Sequence, residues 1–179
     1  LNLTREQSSY SQSITRYFNY YDFPIHEEKH YYGMFYSGND TCFSQVFVPA
    51  KINGTFFIVH GYLDHSGFYV KLLKYLLLQN YAVGLFDLPG HGFSSGDRAN
   101  ISDFRNYAEA IDIFVNQVKQ HIPGPYSIIG HSTGAAATVE YVYMYKNAAI
   151  DRIILCAPVV RGVLRRLPRI GYILFRPFL

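Results

Sequence analysis

Continuous apolar runs of strand length constrain this chain more than any other feature. "TFFIVHG", "YAVGLFD" and "YSIIG" carry no polar alternation, so each reads as a strand buried on both faces. Between and after them lie segments of helical period. "SGFYVKLLKYLLLQN" sets Phe68, Leu72, Leu73, Leu76 and Leu77 on one stripe, with Ser66 as the predicted N-cap. "SDFRNYAEAIDIFVNQVKQH" does the same with Phe104, Tyr107, Ala108, Ile111, Phe114, Val115 and Val118. A small-residue helix, "TGAAATVEYVYMYK", and a last strand, "DRIILCAP", complete the series. Strand and helix alternate, which predicts an α/β fold: a mostly parallel sheet with helices on both faces.

The front of the chain differs. Runs at His30–Ser37 and Thr41–Pro49, joined by Ser37-Gly38-Asn39-Asp40, predict an antiparallel hairpin. Residues 1–24 form a polar, tyrosine-rich arm, either a short helix or an extended segment. A formal net charge of +3, with no dense Lys/Arg stretch, argues against nucleic acid as a partner. Cys42 and Cys156 sit apart in strand-like runs with no metal-binding spacing. They read as reduced core thiols, which favours a reducing, cytoplasmic compartment. No metal and no cofactor is expected. Neither a leader nor an apolar run of about 18 residues stands out. Four Asn-x-Ser/Thr sequons occur, at Asn2, Asn39, Asn53 and Asn100, and Asn53-Gly54 is more simply a turn.

In parallel sheets ligands gather at the carboxyl ends of the strands. The buried runs end in His60-Gly61, in Asp87-Leu88-Pro89-Gly90-His91-Gly92 and in Gly130-His131-Ser132, all on the same edge. The last of these continues to Gly134. A serine hydroxyl is a weak nucleophile unless it is held in the open near a base and an oxyanion site. A sharp strand-to-helix turn lifts Ser132 clear of the sheet, with Gly130 and Gly134 removing Cβ clashes. The helix N-terminus then turns free N–H groups toward a developing oxyanion. Against this stands an ordinary loop serine. His60-Gly61-Tyr62 is either a second oxyanion donor or a tight glycine turn with a structural histidine, and His60 itself reads as structural.

"HGYLDHSGFY", "DLPGHGFSSG" and "GHSTGA", in this order, resemble the monoglyceride lipase and lysophospholipase branch (serine aminopeptidase-like) of the α/β-hydrolases over roughly residues 25–162. The resemblance implies an α/β-hydrolase fold with Ser132 as catalytic nucleophile and the Tyr62 and Thr133 backbone N–H groups as oxyanion hole. It implies a lipid ester, a monoacylglycerol or lysophospholipid, as small-molecule substrate. His65 and Asp87 match positions that shape loops, and His91 pins one. It also implies a lid after the sixth strand, where residues 161–179 begin a basic, apolar segment. That segment reads equally as an amphipathic lid making transient membrane-surface contact and as a solvated helix face over a core stripe. Residues 25–160 would be the hydrolase core.

In this family the triad acid follows the seventh strand and the base histidine the eighth. All seven histidines here, His26, His30, His60, His65, His91, His121 and His131, lie at or before the turn, and the last aspartate is Asp151. His131 adjoins Ser132, but neighbours on a sharp turn point different ways. The chain is therefore expected to hold only the first six strands of a longer hydrolase. The alternatives are a degenerate fragment or non-catalytic binding protein of the same fold, and an acyltransferase or peptidase using the same serine.

Overall fold

A computed structural model of the chain describes residues 12–26, 28–146 and 150–159. Among the described residues six strands form one sheet: β1 (Lys29–Ser37), β2 (Asp40–Val48), β3 (Gly54–Val59), β4 (Tyr81–Phe86), β5 (Tyr126–His131) and β6 (Arg152–Cys156). Their order across the sheet is β1-β2-β4-β3-β5-β6. β1 and β2 pair antiparallel from Lys29↔Val48 to Ser37↔Asp40, so Gly38-Asn39 is a two-residue turn, with Gly38 at φ +58. β2 also runs antiparallel to β4, while β3, β4, β5 and β6 are mutually parallel. The mixed, mostly parallel sheet is the one the alternating pattern predicts.

The α-helices described on it are α1 (Gln12–Tyr21), α2 (Val70–Leu78), α3 (Arg105–Lys119) and α4 (Thr133–Met144). Successive strand residues point to opposite faces, and two cores result. Phe57, Val59, Cys42, Val46 and Ile128 meet Ile111, Phe114 and Val115 of α3 and Ala137 and Tyr141 of α4. Ile58, Phe43, Phe47 and Ile129 meet Phe18 of α1 and Leu73, Leu76 and Leu77 of α2. Each large side chain so buried contributes about 1.5–3 kcal/mol. The arm thus contributes to the second core: Phe18 is fully buried.

Several details differ from the sequence expectation. The segment before α2 winds as a 3₁₀ turn, Ser66–Tyr69, and its N-cap is His65, whose Nδ1 accepts from the Gly67 N–H. Ser66 is buried and bonds elsewhere. Three residues per turn carry Phe68 off the apolar stripe, and it is 62% exposed. α3 begins one residue after Phe104, which stays partly exposed. Cys42 is buried as expected, its thiol pushed up to about 12 chiefly by that burial. Cys156 is exposed, not in the core. The reason is its place on β6, the edge of the sheet among the described residues, where Ile153, Ile154 and Leu155 each keep 40–45% of their surface exposed. The Asn53 side chain caps the end of α2 through a 3.0 Å bond to the Gln79 carbonyl, consistent with the turn reading. The segment 161–179, read as the start of a lid, lies outside the described residues, as does Asn2. Among the described residues no helix is long and apolar enough to cross a membrane.

Candidate active site

β5 ends at His131 and α4 begins at Thr133, so the whole change of direction falls on Ser132. Its backbone sits at φ +51, ψ −113, a region costly for any residue with a Cβ. The surrounding packing imposes that conformation. A Cβ on Gly130 would lie 2.6 Å from the Ala135 Cα, and one on Gly134 would overlap the carbonyl oxygens of Val59 and His60. α4 is therefore pressed onto the ends of β5 and β3 with only hydrogen between. The Ser132 N–H donates to the Cys156 carbonyl at 2.9 Å, and its own carbonyl accepts from Ala136 at 3.1 Å. Backbone contacts alone fix the turn.

The loop after β3 lies against this turn. A Cβ on Gly61 would come 3.3 Å from the Ser132 Cβ. His60 is nearly fully buried, and both ring nitrogens are committed. Nε2 accepts from the Leu88 N–H at 2.8 Å, so Nδ1 carries the hydrogen and donates to the Gly61 carbonyl at 2.8 Å. Burial holds it neutral, its pKa pushed down to about 4. It ties the β3 loop to the β4 loop. Tyr62 follows, 56% exposed. Among the described residues neither the Tyr62 nor the Thr133 N–H meets a hydrogen-bond acceptor, the latter as expected for a first helical residue.

Asp87, fully buried at the end of β4, organises the same loops. Oδ1 accepts from the Ser66 N–H at 2.8 Å and the Ser66 hydroxyl at 2.6 Å, and Oδ2 accepts from the Phe93 N–H at 2.9 Å. Gly92, at φ +48, leaves room for that carboxylate, which a Cβ would strike. His91 is buried beside His60, with Nδ1–H donated to the Pro89 carbonyl at 2.9 Å. His65 takes the Gly67 N–H on Nδ1 at 3.2 Å and meets the Tyr21 hydroxyl through Nε2 at 3.1 Å.

One part of the site has no local signature in sequence. The Tyr69 hydroxyl donates to Asp64 Oδ2 at 2.7 Å, so its oxygen accepts from His131 Nδ1–H at 3.0 Å. The ordered chain Asp64–Tyr69–His131 turns the imidazole next to Ser132 toward the 3₁₀ turn. Burial, and then the Asp64 carboxylate, raise the Tyr69 pKa. Asp64 and Tyr69 are five residues apart, but His131 lies 62 residues further on, and only the parallel sheet brings them together. Among the described residues no imidazole or carboxylate is hydrogen-bonded to Ser132, and no three His, Cys, Asp or Glu groups lie close enough to hold a metal.

Comparison with known proteins adds the family. The model of the serine aminopeptidase (S33) family matches residues 50–176. Phospholipase YtpA of Bacillus subtilis is 31% identical over 101 residues, which is 56% of this chain and 39% of the relative. Human monoglyceride lipase is 34% identical over 84 residues, 46% of this chain and 28% of the relative. The chain thus spans less than half the length of these curated relatives. A thermostable carboxyl esterase from Bacillus coagulans superimposes with a TM-score of 0.66 at 24% identity, over 83% of this chain and 48% of the esterase. The α/β hydrolase GrgF from a Penicillium species gives 0.67 at 18% identity, over 82% and 53%. At such identities these two likenesses speak for the fold. With its six-stranded sheet, its serine turn and a family match over residues 50–176, the chain belongs to the serine aminopeptidase (S33) family of lipase- and esterase-type α/β-hydrolases.

Proposed function

We propose that this chain carries the nucleophile and the oxyanion site of a serine hydrolase that cleaves carboxylic esters of lipids, with a monoacylglycerol or a lysophospholipid as substrate. The observation that carries this reading is Ser132 at φ +51 on the turn from β5 into α4, closed by two glycines that admit no Cβ. Strain of that kind persists only where packing over-determines it, and it is the arrangement that exposes a nucleophile. In the reaction Ser132 Oγ adds to the ester carbonyl while a base takes its proton. The Tyr62 and Thr133 N–H groups receive the oxyanion. The alcohol departs with that proton, and water then hydrolyses the acyl-serine ester by the same route in reverse. His60, His65 and His91 serve the loops and His131 faces Tyr69, so none of these four is assigned as the base.

A lipid substrate is supported by the relatives, a phospholipase and a monoglyceride lipase. Exposed Tyr62, Leu63 and Phe68 on the neighbouring loop fit an apolar acyl chain. Each methylene taken out of water adds up to about 0.8 kcal/mol of binding. Ester turnover by the natural full-length polypeptide tests the reading. Monoacylglycerols and lysophospholipids should be hydrolysed and the Ser132→Ala variant should be inert. Activity on short soluble esters that vanishes for every acyl chain above about eight carbons would refute the substrate class, since added methylenes should strengthen binding.

A further inference from the structure

Helix α1 reaches the proposed site through one histidine. The Tyr21 hydroxyl meets His65 Nε2 at 3.1 Å and the Tyr17 hydroxyl meets Nδ1 at 3.4 Å. Because Nδ1 accepts from the Gly67 N–H, the proton of a neutral ring is on Nε2 and is donated to Tyr21. The rings also pack: Tyr21 edge-on to His65 at 5.0 Å, and Tyr17 edge-on to Phe93 at 4.9 Å. A Cβ on Gly67 would lie 2.8 Å from Tyr21 Cγ, so the 3₁₀ turn is pressed directly onto the helix. Fully buried Phe18 anchors α1 in the core, and an ion pair from Asp22 to Lys74 of α2 holds its end.

His65 lies between the two residues that connect this turn to the site. Asp64 before it accepts from Tyr69, which bonds His131 beside Ser132, and Ser66 after it is held by Asp87. Upstream in the same loop, Gly61 abuts Ser132, and Tyr62 carries the N–H proposed above as an oxyanion donor. We propose that α1 is a positioning element of the site: Tyr21 and Tyr17, acting through His65, hold the Gly61–Asp64 loop and the Ser66–Tyr69 turn at the distance from Ser132 that an oxyanion donor requires. The inference rests on Ser132 being the nucleophile and assigns a role to an arm that neither the sheet pattern nor the turn at Ser132 explains. A displacement of an ångström at such a donor is enough to cost up to about a hundredfold in rate.

The test is the second-order rate of Ser132 labelling by a fluorophosphonate in the natural full-length polypeptide, measured with thermal stability. Amide exchange of residues 61–69 is followed in parallel. Tyr21→Phe and His65→Ala are expected to slow labelling about tenfold well below their melting temperatures, and to speed exchange at Asp64 and Gly67. Val115→Ala, in the core on the other face of the sheet and away from α1 and His65, should lower the melting temperature and leave the rate unchanged. Unchanged labelling in Tyr21→Phe and His65→Ala, or an equal slowing in Val115→Ala, would overturn the proposal. If the wild type is not labelled, the nucleophile assignment fails by itself. The exchange data then decide the role of α1: retained protection in Tyr21→Phe overturns it, and lost protection at Asp64 and Gly67 supports it.

Discussion

The two sides of Ser132 are held by different kinds of force. On one side, the turn from β5 into α4 is fixed by backbone contacts: two glycines pressed against main-chain atoms, and main-chain hydrogen bonds of Ser132 with Cys156, Ala136 and Val159. On the other, the loops at 60–69 and 87–99, regular only at the 3₁₀ turn Ser66–Tyr69, are joined by side chains, chiefly Asp87, His60, His65 and Tyr69. Steric closure depends on residue size and is indifferent to pH. A side-chain network depends on charge state and on every member being present. The turn should therefore fail abruptly on the addition of one carbon, and the loops should fail by degrees.

The largest effect is expected from Gly134→Ala. Its Cβ would overlap two carbonyl oxygens at the end of β3, and backbone cannot yield as a side-chain tip can. We expect a loss of about 4 kcal/mol or more, or no soluble protein, in denaturant titration. A loss under about 1 kcal/mol would show that α4 can lift off the sheet, and the steric account of the turn would be wrong. Next comes Asp87→Ala, which strips acceptors from the Ser66 N–H, the Ser66 hydroxyl and the Phe93 N–H together. About 3 kcal/mol should be lost in the same titration, at 1–3 kcal/mol for each orphaned buried donor less relaxation. Asp87→Asn should cost less, because the amide oxygen still accepts from one side. Equal losses for Ala and Asn would remove the hydrogen-bond explanation.

Acid should act on the loops and spare the turn. Burial pushes the His60 pKa down to about 4 and that of His30, stacked on Phe47, down to about 3, against about 6.5 unfolded. Both are neutral in the native state. Between pH 6.5 and about 4 the unfolded chain takes up protons that the folded chain refuses, so stability falls as pH drops through that window and levels off once the native histidines also titrate. His60 should account for about 2–3 kcal/mol of the fall. Stability measured from pH 8 to pH 4 should show the slope, and His60→Gln should flatten it. A His60→Gln variant with the wild-type slope would assign the acid sensitivity elsewhere.

The same division explains what could be read in the sequence. The order of strands and helices, the hairpin at Gly38-Asn39 and the turn at Ser132 follow from periodicity and from residue size at adjacent positions, which are local quantities. The exposure of Cys156, read from its apolar run as a core thiol, follows from the sheet order, because β6 is the edge strand among the described residues. Ser66 has the composition of an N-cap, but Asp87, 21 residues away, claims both its N–H and its hydroxyl, and His65 caps in its place. Tyr69 and His131, or Tyr21 and His65, carry no mark of their pairing. Their contacts exist only once the parallel sheet has brought three loop ends to one edge and α1 has folded over them.

On the proposed reading, the strained turn makes Ser132 a nucleophile. The most direct measurement of this is the site of covalent modification when the natural full-length polypeptide reacts with a fluorophosphonate, located by peptide mass mapping. A single phosphonyl adduct on Ser132, abolished in Ser132→Ala, is expected, because such a reagent needs an activated hydroxyl and an oxyanion site together. An adduct on another residue, or equal modification of wild type and Ser132→Ala, would contradict that reading.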